Sequence, residues 1–146
     1  MTSTIDLGDV RQNGVRRVAS AELATLAATA HAAGCCVRRV DIAGCTGKPE
    51  LLHRIAAALA FPADFGQNWD ALADCLRDLA WLPAGAGYVW LFAHTGDFCR
   101  VHATNFGVLR QILDGACADW RRRGVPCFAF LDARPPTGPA RADAGT

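Results

Sequence analysis

The heptapeptide GYVWLFA at 87–93 carries no charged side chain and mixes aromatic with β-branched residues, so it reads as a buried strand. Around it, strand and helix patterns alternate. Val15 to Val18 is a candidate short strand, and Ser20 stands as N-cap to an alanine-rich helix running to about Ala33, where Gly34 ends it. CVRRVDIAG then alternates apolar and charged residues like a half-buried strand. A helix is predicted from about Pro49 to Ala60, ending before Phe61-Pro62, and another from Trp69 to about Leu79. A long helix from about Thr104 to Arg123 stops at Gly124, and VPCFAFL supplies a final strand. Such alternation predicts an α/β domain with a small parallel sheet of three or four strands covered by helices. Residues 1–12 are expected to be flexible, 13–131 to form one domain, and the Pro-, Gly- and Ala-rich 132–146 to be a disordered tail.

Chemistry concentrates in FPADFGQNWDALADCL, residues 61–76. A Gly-Gln-Asn turn opens the helix that begins at Trp69. At 100° per residue, Leu72, Leu76 and Leu79 gather on one side, while Asp70, Asp74 and Asp78 gather nearly opposite. Leucines face the core and aspartates face water. Like charges at i,i+4 cost a helix roughly 0.2–0.5 kcal/mol per pair, with Arg77 near enough to offset them. Asn68 as N-cap and Asp70 in the first turn are also ordinary helix-start residues.

The fixed types Phe61-Pro62, Phe65-Gly66, Asn68-Trp69-Asp70-Ala71-Leu72 and Asp74-Cys75-Leu76 resemble the barstar family of ribonuclease inhibitors. A weaker likeness runs from about Val37 to Leu131, which makes 13–36 an N-terminal extension to the family core. The resemblance implies a barstar-like fold and a non-enzymatic inhibitor of a small basic ribonuclease, barnase-like or related, kept silent inside the producing cell. In that role Asp74 would mimic substrate phosphate and Asp70 would pair with a neighbouring cation. Phe65, Gly66 and Asn68 would shape the turn packing against the pocket rim, and Asp119 matches a further acidic contact. The family's best-known member has an aromatic residue where Asp64 stands, tryptophan at Ala73 and an acid at Arg123. These departures retune the binding face, in which Ala73 and Arg123 are included, toward a related but different ribonuclease. Trp69 replaces a smaller aliphatic residue and is either core or an additional anchor of the binding face, with which it is counted; its angular position favours the core. A regulatory or scaffold protein using the same helix on a non-nuclease partner fits the same residues.

Other readings are weaker. With 15 basic against 14 acidic side chains, no global field points to nucleic acid or an anionic membrane. Locally, residues 61–80 hold four aspartates and one arginine, net −3, and residues 97–123 hold five arginines and three aspartates, net +2. Arg121 to Arg123 could touch phosphates, but a helix end solvated by cations complements its own dipole. Gly44-Cys45-Thr46-Gly47-Lys48-Pro49 departs from a phosphate-binding loop in its glycine spacing and in the proline after Lys48. His31 and Cys35 are separated by Gly34 and lack a partner pair at metal-ligand spacing, so neither metal nor cofactor is expected. Asp70 and Asp74 point the same way from one helix, unlike the opposed carboxylates of a hydrolytic cleft, so no catalytic residue is assigned. Seven cysteines without a CxxC pair suit reduced thiols, and the opening MTSTIDLGDVRQNG lacks the apolar core of a secretory leader; a cytoplasmic protein is expected.

Overall fold

The computed structural model describes residues 5–133. Its elements run β1 (Gly14–Ala19), α1 (Glu22–Ala32), β2 (Cys36–Asp41), α2 (Lys48–Ala58), α3 (Trp69–Asp78), β3 (Tyr88–Ala93), α4 (Thr95–Val101), α5 (Ala103–Arg122) and β4 (Cys127–Ala133). All strand pairings are parallel and the order is β1-β4-β3-β2, so the two central strands are the apolar runs. Every side chain of β3 is buried, as a strand covered on both faces requires.

The two faces are covered by different helices. On one, Trp90, Phe92, Ala129 and Leu131 meet Leu51 and Ile55 of α2, Leu72 and Leu76 of α3, and Leu109 and Leu113 of α5. On the other, Val89, Leu91, Phe128 and Phe130 meet Leu23 and Ala30 of α1, with Leu7 closing the end. The chain from β1 to β2 crosses this second face through α1, joining the two sheet edges. The fold is the expected α/β parallel sheet, with four strands among the described residues.

Several local expectations are corrected. Ser20 does not cap α1: its hydroxyl lies 3.4 Å from Asp132 Oδ2, and the Ala19 N–H is satisfied instead by Glu22 Oε1 at 2.9 Å. Asp132, assigned to the tail, is 6% exposed and belongs to β4. Its carboxylate accepts the N–H groups of His94 and Thr95 at 2.7 and 2.9 Å, which fastens the start of α4, a helix too short to be read from periodicity. Residues 134–146 of the tail lie outside the described residues. Toward the N-terminus, where flexibility is expected, Leu7 is 5% exposed and Asp9 Oδ1 caps a 3₁₀ turn over Val10–Gln12. At Gly44 to Pro49, Pro49 occupies the first turn of α2 and both Thr46 donors bond Glu50 Oε1, a helix start closed on itself. The seven cysteines are free thiols.

Asn13 ties β1 to the end of α5. Its amide donates to Cys117 O and Val125 O at 3.1 and 2.9 Å, and its carbonyl accepts from Cys127 N at 3.0 Å. Asn13→Ala removes all three of these bonds and should lower stability by about 1–3 kcal/mol. Urea unfolding measures the loss, and an unchanged midpoint would show that water replaces the amide without penalty.

Candidate functional site

The approach to α3 is built by backbone chemistry. Phe65 N donates to Pro62 O at 3.0 Å, closing a turn, and Gln67 takes a left-handed conformation at φ 56°. Asn68 accepts the Ala71 N–H through Oδ1 at 2.8 Å and donates from Nδ2 to Gly66 O at 3.2 Å, so it is the N-cap and also pins the loop. A Cβ on Gly66 would sit 3.3 Å from Asn68 Nδ2 and 3.5 Å from Ala71 Cβ, tight enough to disturb that pin. Phe65 is half-buried and meets Phe61 edge-to-face at 4.9 Å, and Phe61 meets Trp81 at 5.9 Å. Phe65, Gly66 and Asn68 therefore set the shape of the loop from within.

Along α3, Leu72 and Leu76 are buried and Asp70, Asp74 and Asp78 are exposed, as the helical period predicts. Trp69 is half-buried against the main core, with the Lys48 ammonium 5.7 Å from its ring centroid. Ala73 is likewise half-buried. The far end of the helix is anchored to α5. Trp120 Nε1 donates to Leu76 O at 2.8 Å, and the Arg123 guanidinium donates to Arg77 O. These bonds satisfy carbonyls that a helix C-terminus leaves open.

Asp119 and Arg123 lie at the C-terminal end of α5, where it packs beside α3. Asp119 bonds Arg122 at 2.9 Å and Arg123 at 2.6 Å, and Arg123 stacks 3.7 Å from the Trp120 ring centroid. The hydrogen bond from Arg122, followed by that from Arg123, holds the Asp119 carboxyl below its ordinary value. Both residues are thus engaged inside the chain, and Arg123 serves to join two helices.

The carboxylates of Asp64, Asp70, Asp74 and Asp78 make no hydrogen bond or ion pair with any described residue. Most of the other described acids do, including Asp9 with Arg11, Glu50 with Arg54 and Asp41 with His94. Three of the four line an open groove of about 400 Å³ between the 62–66 loop and α3, together with Phe65, Cys75 and Trp81. Burial first, and then the carboxylates of Asp78, Asp64 and Asp74, raise the Cys75 thiol above its ordinary value. The negative fields therefore superpose inside the groove. The sequence marks Asp64 as a departure at the binding face and Asp78 as part of the aspartate face, without assigning either a contact. Asp78 was visible at i+4 from Asp74; Asp64 comes from a loop whose path is set by tertiary contacts.

A family model described as Barstar (barnase inhibitor) matches residues 36–132. The match opens at the first residue of β2 and ends on Asp132, leaving β1 and α1 outside it. A comparison with curated proteins finds no match. Among the described residues, no helix is long and apolar enough to cross a membrane.

Proposed function

Because the chain belongs to the barstar family, we propose that it is a proteinaceous inhibitor of a small basic ribonuclease, covering the enzyme's active site with the aspartate face of α3. The observation that carries this reading is the row of carboxylates, unpaired among the described residues, on a helix fastened at both ends, by Asn68 at its start and by Trp120 and Arg123 at its finish. An enzyme that cleaves RNA gathers cations around the scissile phosphate. A carboxylate held there by a rigid scaffold makes charge-assisted hydrogen bonds in a water-poor pocket, without paying to order a flexible segment. Asp74, in the middle of the exposed face, takes the phosphate position. Asp70, one turn nearer the helix start, meets a neighbouring cation. Asp119, already bridged to two arginines, contributes through the α5 end it holds together.

The test is capture on the immobilised full chain from the native cell lysate, followed by a ribonuclease assay before and after release. A retained ribonuclease that is inactive while bound and active once released supports the proposal. Recovery of a bound partner without nuclease activity would replace it with a regulatory or scaffold role.

Asp70→Asn keeps the side chain's shape and removes its charge. If Asp70 steers encounter, association at low ionic strength should slow by about tenfold and lose much of its salt dependence, while dissociation changes less. Stopped-flow rates across a salt series decide this, and an unaltered association rate would remove Asp70 from the steering field.

A further inference from the structure

The groove beside α3 has a shape and charge that a phosphate mimic at Asp74 does not by itself require. Two separate elements supply its carboxylates: Asp64 comes from the loop, and Asp74 and Asp78 from successive turns of the helix. Between them lie the half-buried rings of Phe65 and Trp81, which Phe61 braces edge-to-face and which Trp81 Nε1 further fixes through Leu59 O at 3.0 Å. Among the described residues no cation pairs with Asp64, Asp74 or Asp78. An occupant must therefore be positively charged, must present an apolar surface to aromatic rings, and must donate in more than one direction. An ammonium group meets only part of this, being a compact and strongly hydrated charge. A guanidinium is planar and weakly hydrated on its faces, stacks on aromatic rings, and carries five donors in a fork that matches carboxylates.

We propose that this groove receives an arginine side chain projected by the ribonuclease partner, with Asp64 and Asp78 as the carboxylates that determine specificity, a proposal that rests on the inhibitor reading above. Recognition then runs both ways across the interface. Asp74 enters the partner's cationic pocket, while the partner returns an arginine to the groove at its side. Asp64 supplies a charge that selects a partner with arginine opposite it. Selection by charge also rejects partners that place an acid or an apolar group there.

The ¹⁵N-labelled full chain should be titrated at low salt with N-acetyl-arginine methylamide and with its lysine and citrulline counterparts. Citrulline retains the shape of the guanidinium and removes its charge. The expected result is saturable amide shifts centred on residues 64–66, 75, 78 and 81, with the arginine compound binding about fivefold more tightly than lysine and citrulline giving no saturation. Asp64→Asn with Asp78→Asn should weaken the arginine compound about tenfold, and Asp114→Asn on the outer face of α5 should leave it unaltered. Shifts scattered over the surface, equal response to lysine, or full binding by the double variant would overturn the proposal. A chain that binds arginine in this way yet silences no ribonuclease supports the groove and overturns the inhibitor reading. One that silences a ribonuclease with an affinity indifferent to Asp64→Asn and Asp78→Asn overturns the groove alone.

Discussion

Asp74→Ala is expected to weaken the complex with the ribonuclease partner by about 2–5 kcal/mol, because it leaves the enzyme's phosphate-binding cations buried without a counter-charge. The free protein should hardly notice. Asp74 is exposed and its carboxylate bonds to no described residue, so its removal should shift stability by no more than about 0.5 kcal/mol, the usual range for a surface position. The sign of that small effect is toward greater stability. Asp70 and Asp78 lie one turn to either side, and taking away the middle of three like charges removes two repulsive i,i+4 pairs. A residue that costs the fold a little and confers a large gain on binding is the pattern of an interface built for its partner. Calorimetry measures the affinity and thermal denaturation the stability. Equal affinity for wild type and variant would place the contact face elsewhere on the molecule.

Removing residues 1–35 is expected to abolish the stable fold, although the family match begins at residue 36. The deletion takes away β1, which pairs with β4 from Gly14 to Ala19, and α1, which covers the second face of the sheet. Val89, Leu91, Phe128 and Phe130, each no more than 2% exposed, would then face water. Burying each such side chain is worth about 1.5–3 kcal/mol, and four together match much of the roughly 5–15 kcal/mol that holds a whole domain together. The truncated chain should aggregate or bind a hydrophobic dye without a cooperative melt, as read by size-exclusion chromatography, dye fluorescence and circular dichroism. A cooperative melt near the temperature of the full chain would show that the matched region folds alone, and that β1 and α1 are an addition rather than a structural layer.

Several elements were legible because their causes are local. The period of Leu72, Leu76 and Leu79 against Asp70, Asp74 and Asp78 depends only on helix geometry, and it places those six side chains correctly. Asn68 acts as N-cap and Pro49 stands in the first turn of α2, since capping and the missing proline N–H concern a few neighbouring atoms. The parallel sheet followed from strands alternating with helices. Ser20 shows where local reasoning stops. It has the right chemistry for a cap, but the buried carboxylate of Asp132, 112 positions away, engages its hydroxyl instead.

The same limit applies at the binding face. Arg123 reads as a free cation at a helix end, and becomes a bond to Arg77 O and a stack on Trp120 once α5 packs beside α3. Asp119 reads as a further acidic contact and is held by Arg122 and Arg123. Sequence by itself determined the class of the fold, the aspartate face of one helix and the family to which it points, because periodicity, capping and a dense motif are properties of adjacent residues. Only the tertiary structure decided that Asp64 joins Asp74 and Asp78 around one groove, and that the N-terminal strand and helix form a layer of the core. Both depend on side chains far apart in the chain meeting in space, where charge and apolar area add across elements that no local pattern connects.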